Sequence, residues 1–349
     1  MIRIDEIYNN VFSPIVLSKP KQSMHYFDPF GSTDYQALSA VPLITVRSTA
    51  YLFWDQEPFF PEVHSDTIDW FYEVFINGGQ KKVDVVFVTS EKNSSNINAL
   101  VDNYGVKLNY YFFHGWAALD WFRGYNRTSL MQDFRHRNIT NTFLCTNRIV
   151  SGKREHRIEL FKELVSNDLI SGNKISFPAV CPYSNEKIEI DNVTLPLSLS
   201  IDSHSGPIEN ESYKISLWDD AKESLLYVVT ETVFKEQTLH LTEKIFKPIV
   251  MQMPFILVGA KHNLEYLRSY GFKTFNDFWS EDYDFADNDT RIRTIANLLS
   301  DINAMSIKEK TQLQKHLSPI VEHNFNWFYS NEFENILWKE LNTMTDTWK

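Results

Sequence analysis

Between Tyr227 and Gly259 the chain reads YVVTETVFKEQTLHLTEKIFKPIVMQMPFILVG. An apolar run delivers Glu231, a polar loop follows, and Thr242-Glu243-Lys244 opens a stretch with helical spacing. The first turn of a helix carries unpaired N–H groups and a partial positive charge, which suits a phosphate or diphosphate. Lys244 adds a full charge at that point, and Glu243 can accept hydrogen bonds from a ribose diol. The competing reading leaves Thr242 as a plain N-cap and the two charged residues as a solvated first turn.

Other residues of chemical interest fall elsewhere. Phe53-Trp54-Asp55-Gln56-Glu57-Pro58 places two acids in a Pro-closed turn at the end of an apolar run. His114-Gly115-Trp116 and Asp120-Trp121-Phe122-Arg123 form a polar-aromatic cluster. Its rings and its charged residues, His114, Trp116 and Arg123, can line a sugar or base, or else pack a core. From Arg123 to Lys162 nine basic side chains face three acidic ones, and from Asn276 to Asp301 the balance reverses. A basic middle in a chain of net charge −11 marks a local site for phosphate.

The elements that must position these residues are legible as alternating patterns. Strands are expected at Leu43 to Val46, Ala50 to Trp54, Val83 to Val88 and Lys107 to Phe113, with helices at Thr67 to Phe75 and from Ser94. A second series follows: a strand at Asn141 to Thr146, a helix at Glu155 to Val165, and a strand at Leu225 to Val229. Next come a helix at Glu243 to Val250, a strand at Pro254 to Val258 and a helix at Asn263 to Tyr270. Gly271 to Phe275 begins a further strand. Ile292 to Ala304, Ile307 to Leu317 and the aromatic tail from Val321 read as helices. Alternation of continuous apolar strands with helices implies parallel sheets with right-handed crossovers. Ligands of such sheets bind in a crevice at the C-terminal ends of the strands.

Length and composition bound the function. At 349 residues, with 43% hydrophobic and 23% charged, the chain is long enough for about two domains. Its longest uncharged run, Pro248 to Ala260, is short of the ~20 residues of a membrane helix. The opening MIRIDEIYNN has two acids and no apolar stretch, so no secretory leader is expected and the reading is cytoplasmic. Cys145 and Cys181 cannot form a disulfide framework or a C-x-x-C site. Asp282-Tyr283-Asp284 has the letters of a metal-binding D-x-D, but in its acidic surroundings it reads as a solvated helix lead-in.

Glu231, the gap, Thr-Glu-Lys, a helix and then Pro-Phe-Ile-Leu-Val-Gly together resemble the donor-binding segment of α1,3-fucosyltransferase-like glycosyltransferases. These are GT-B enzymes whose hallmark is a short FEN…TEK…PV.G pattern. The resemblance implies that Glu243 contacts the ribose and Lys244 the diphosphate of a nucleotide sugar, with Glu231 and Thr242 beside them. The Asn of FEN is Thr232 here, and the aromatic that precedes TEK is His240. Phe143 to Arg148 followed by Arg157 to Phe161 is similar to the strand, loop and Arg-led helix that open the family's donor domain. That implies Arg157 on the phosphate, with Arg148, Lys153 and Arg154 as alternates. The turn at Asp55 to Pro58 resembles the family's acceptor-side acidic turn, which implies Glu57, or else Asp55, as the base that takes the acceptor's proton.

The expectation is therefore an α/β chain of GT-B type, with two Rossmann-like domains facing across a cleft and a C-terminal helix crossing back. The acceptor domain spans 1–138, the donor domain 139–320 and the helical tail 321–349. Transfer of a hexosyl or fucosyl group would be inverting, with the nucleotide sugar as cosubstrate and no metal or other cofactor required. A glycan is the family's usual acceptor. The chain also resembles virus-encoded transferases, some of which glycosylate hydroxymethylated DNA bases. The alternative is a non-catalytic nucleic-acid- or glycan-binding protein on the same scaffold.

Overall fold

The computed structural model describes residues 4–26, 49–54, 57–61, 83–123, 134–182, 184–197, 199, 217–235 and 237–349. The expected strand at Leu43 to Val46, the helix at Thr67 to Phe75 and the candidate Asp55 lie outside these residues. The chain divides into two compact units. Unit 1 comprises Met1–Asp120, Gln237–His240 and Glu334–Lys349, and unit 2 comprises Trp121–Glu236 and Leu241–Phe333.

Unit 1 begins with α1 (Ile4–Ile7), a π-wound turn at Tyr8–Phe12 and α2 (Ser13–Leu17). Among the described residues its strands are β1 (Gln22–Tyr26), β2 (Thr49–Trp54), β3 (Asp84–Thr89) and β4 (Lys107–Tyr110). They pair in parallel in sequence order, β1-β2-β3-β4. The helix α3 (Ser95–Tyr104) starts where the Ser94 hydroxyl accepts the Ile97 N–H and stops at Gly105, which takes the left-handed conformation at φ 66°. The apolar run beyond β4 does not continue the strand as expected. Tyr111 N–H still reaches Thr89 O, but Phe113 already opens α4 (Phe113–Arg123).

Unit 2 runs β5 (Asn141–Thr146), α5 (His156–Ser166), β6 (Lys174–Ser176), α6 (Trp218–Glu223), β7 (Ser224–Thr230), α7 (Glu243–Val250) and β8 (Phe255–Val258). Then come α8 (Asn263–Ser269), α9 (Asn288–Ala304), α10 (Ile307–Phe328) and α11 (Asn331–Asp346). Every residue of β7 and β8 is buried, as continuous apolar strands covered on both faces must be. The sheet is parallel with order β6-β5-β7-β8, so the chain steps outward from β5 to β6 and then returns to β5's other side. The fold is thus α/β with two parallel sheets, as a two-domain GT-B-like architecture requires. From Glu334 onward α11 and the following residues belong to unit 1. There Trp348 packs on Phe12, Tyr51 and Phe53, and Lys19 Nζ donates to the backbone oxygens of Trp348 and Lys349.

Two expectations in unit 2 are corrected. Gly271 to Phe275 is not a strand, because side chains take up its backbone groups. Asn324 bonds both Lys273 N–H and Lys273 O, the Glu281 carboxylate accepts Phe275 N–H, and His323 bonds Gly271 O. Nor is Asp282-Tyr283-Asp284 solvated throughout. Tyr283 and Asp284 are buried, and the Asp284 carboxylate accepts the Leu264 and Glu265 N–H groups at the start of α8.

Gly271 has φ 89°, and an added Cβ would lie 2.5 Å from the Trp327 ring, which is itself held by a 2.7 Å bond to Tyr270 O. Gly271→Ala is therefore expected to cost about 2–4 kcal/mol from backbone strain and overpacking. A urea titration of the full chain, followed by tryptophan fluorescence, should show an earlier transition. An unchanged midpoint would contradict this account of the turn.

Candidate functional site

The reversal of strand order in unit 2 falls between β5 and β7. In open parallel sheets the crevice outside the C-terminal ends at such a point is where ligands bind. Here β5 ends into Asn147 and Arg148, and β7 ends into Glu231 and Thr232. The two ends are tied together, since Thr230 Oγ1 donates to Asn147 Oδ1 at 2.8 Å and Thr146 Oγ1 bonds Tyr227 OH at 2.7 Å.

Glu231 is fully buried and acts as a node. Its N–H continues the sheet to Val258 O, and its carbonyl accepts from His156 Nε2 and Arg157 Nη2, both at 3.1 Å. Its carboxylate accepts Thr242 N–H at 3.2 Å and the Thr242 hydroxyl at 2.5 Å. Thr242 Oγ1 in turn accepts from Lys244 N–H at 3.2 Å and from Lys244 Nζ at 3.3 Å. One donated proton and two filled lone pairs exhaust what a hydroxyl can do. Lys244 Nζ also donates to Glu243 Oε1 at 3.0 Å and Thr232 Oγ1 at 3.4 Å, and its side chain retains 31% exposure. The ammonium is thus held over the N-terminus of α7, beside the end of β7.

The backbone comes close at Gly259, just past β8. A Cβ there would lie 3.0 Å from Asn263 Nδ2 and 3.6 Å from the Glu231 side chain. Arg291, 1% exposed, bonds Gly259 O, Phe234 O and Ala286 O and lies over the Phe234 ring, while His156 stacks on that ring at 4.8 Å. Burial and the Arg157 charge hold His156 well below the usual imidazole range, so it is neutral. Because a carbonyl can only accept, its Nε2 carries the proton given to Glu231 O.

The structure brings Glu231, Thr242, Glu243 and Lys244 together, with Arg157 beneath them. Arg157 is 5% exposed and turned inward. Its guanidinium donates to Ile149 O at 2.7 Å and to Thr230 O at 2.8 Å, which fixes the end of β7 against the loop carrying Arg148, Lys153 and Arg154. Burial brings its acidity to about 10. Arg148, Lys153 and Arg154 are half-buried in that loop. His240 falls in unit 1, where its ring meets His114 edge to face at 4.8 Å. Trp116 is 2% exposed and packs on Trp338, so it is a core residue, not the lining of a surface. Glu57 is half-buried in the turn after β2, Arg123 closes α4, and the Arg123 side chain lies outside the described residues. Among the described residues no three His, Cys, Asp or Glu side chains form a metal-sized cluster, and no helix is long and apolar enough to cross a membrane.

No family model matches the chain. No curated protein is similar to it in sequence. Among solved structures it is similar to T4 phage BGT in complex with its UDP-glucose substrate. That similarity has 10% identity and a TM-score of 0.40, and covers 86% of this chain and 74% of that one. At that score the fold is read from the strands themselves.

Asn147, His156 and Arg291 belong to this network and were not singled out in the sequence, whereas Gly259 entered only as the end of the motif. A polar or glycine residue directly after a strand with an apolar centre is the signal shared by Asn147, Glu231 and Gly259.

Burial raises the Glu231 carboxyl above its ordinary 4.5, partly opposed by the Lys244 ammonium and the Thr242 bonds. The native state therefore holds this proton more tightly than the unfolded chain does. The stabilisation is complete below 4.5 and is lost as pH rises through the folded value. Glu231→Gln, neutral at every pH, should flatten the decline in stability above pH 4.5, measured by urea unfolding from pH 4 to 8. A decline of wild-type steepness in the variant would remove Glu231 as its source.

Proposed function

We propose that this chain is a nucleotide-sugar-dependent glycosyltransferase of GT-B type that holds its donor on unit 2. The observation that carries the reading is the Lys244 ammonium, anchored by Thr242, Thr232 and Glu243 beside the strand-order reversal. A cation and a helix N-terminus at that place suit a diphosphate. The order Glu231, Thr242-Glu243-Lys244, Gly259 supports the fucosyltransferase-like resemblance, and the chemistry follows from it.

The diphosphate leaves as the acceptor hydroxyl attacks the anomeric carbon, with inversion. Lys244 and the basic loop at Arg148 to Arg154 offset the charge that develops on the leaving group. Arg157 contributes by holding that loop and the end of β7. Glu243, buried and paired with Lys244, turns toward the ribose as the ammonium engages phosphate. Glu57 in unit 1 takes the acceptor's proton. The transfer needs no metal, and the acceptor is a glycan or a hydroxymethylated DNA base.

A thermal-shift screen against UDP-glucose, GDP-fucose, CMP- and dTDP-sugars, with and without EDTA, tests this reading, because a ligand of the native state raises its melting temperature. One nucleotide should give a selective rise, insensitive to EDTA and lost in Lys244→Ala, whose own melting temperature stays near wild type. If no nucleotide sugar moves the transition, the transferase reading fails. If the shift survives in Lys244→Ala, the site is elsewhere.

A further inference from the structure

Glu91 follows β3 in unit 1 and is 3% exposed. Its carboxylate accepts Phe59 N–H at 2.5 Å and the Thr238 hydroxyl at 3.4 Å, and its own N–H donates to Thr89 Oγ1. Those partners come from two distant stretches of chain. Phe59 lies in the turn that carries Glu57. Thr238 lies in Gln237–His240, whose Leu239 exchanges both backbone bonds with Lys92 and whose His240 meets His114.

The Glu57 turn is held at several points. Trp54 Nε1 donates to Glu57 O at 2.7 Å, Asn96 Nδ2 donates to Phe59 O at 3.1 Å, and the Phe59 ring packs edge-on against Trp54 at 5.3 Å. Within that frame Glu91 supplies a buried carboxylate as the acceptor for Phe59 N–H. Apolar packing gives no reason for an ionisable group here, since burying a carboxylate is costly unless its partners compensate.

We propose that Glu91 is a positioning residue for the transfer: its buried carboxylate fixes the turn that presents Glu57 and, through Thr238, the segment that carries His240. The proposal rests on the reading of Glu57 as the base of the reaction above. Glu91 acts through the Phe59 backbone and takes no proton from the acceptor. An amide at position 91 keeps an oxygen for Phe59 N–H and offers an N–H₂ to the Thr238 hydroxyl, so it should hold the turn nearly as well.

Glu91→Ala and Glu91→Gln, compared with wild type, test this. The readouts are amide hydrogen exchange of the Phe59 and Gln237–His240 segments, affinity for the nucleotide sugar that binds in the screen, and release of nucleoside diphosphate from UDP-glucose or GDP-fucose with water or hydroxymethylated DNA as acceptor. In Glu91→Ala the Phe59 amide should exchange about tenfold faster. Turnover should fall about a hundredfold, the scale of a 1 Å misplacement, while nucleotide-sugar affinity and KM stay at wild type. Glu91→Gln should recover both the protection and most of the turnover. A Gln variant that is protected at Phe59 yet as inactive as Ala would overturn the proposal, because Glu91 would then act chemically. So would an Ala variant with wild-type turnover. A wild-type protein that neither binds nor consumes any of these donors removes the transferase reading itself, and the unsubstituted control tells that failure apart.

Discussion

Unit 2 is organised around a carboxylate that has been taken out of water. Glu231 sits where β7 ends, and burying it there demands partners for each oxygen. Thr242 provides both, through its N–H and its hydroxyl. That fixes where α7 begins, because the same hydroxyl caps the helix. The cap in turn fixes Lys244, whose ammonium returns to the Thr242 and Thr232 oxygens. On its backbone side Glu231 is gripped by His156 and Arg157, which sets the register of α5 against β7. Three connections of the sheet, after β5, β7 and β8, therefore converge on one residue.

Charge in this region is managed by carbonyls more than by ion pairs. The described bonds of Arg157 and Arg291 run to backbone oxygens. Each ties together loops that are far apart in sequence: Ile149 with Thr230 in one case, Phe234 with Gly259 and Ala286 in the other. A guanidinium suits this because its donors are fixed in a planar fork and its charge persists when buried. The outcome is a rigid cationic floor under the strand ends, with Lys244 as a more exposed cation above it.

What could be read in the sequence follows the same physics. Asn141–Thr146 and Glu243–Val250 fall where the apolar run and the Thr cap put them, because burial and capping are local and leave a periodic trace. The direction of a charged side chain leaves none. Arg157 and Lys244 look alike as letters at helix starts, yet one is turned inward to carbonyls and the other is held at the rim. Gly271 to Phe275 misleads for a related reason: its apolar pattern suits a strand, but distant Asn324 and Glu281 satisfy its backbone. Glu91 was invisible because its partners, Phe59 and Thr238, lie 32 and 147 positions away.

Unit 1 is assembled from three separate stretches, and the last of them ends with Trp348 inserted beside Phe12, Tyr51 and Phe53. During synthesis the chain emerges N-terminal side first at about 5–20 residues per second, and domains tend to fold as they appear. Unit 2 has all its residues once Phe333 is made. Unit 1, though begun before unit 2, must wait for Trp348 before its aromatic cluster can close, so of the two units it is the second to be completed. A ribosome that stalls within α11 would leave a complete unit 2 joined to a unit 1 with an open core, a natural substrate for chaperones.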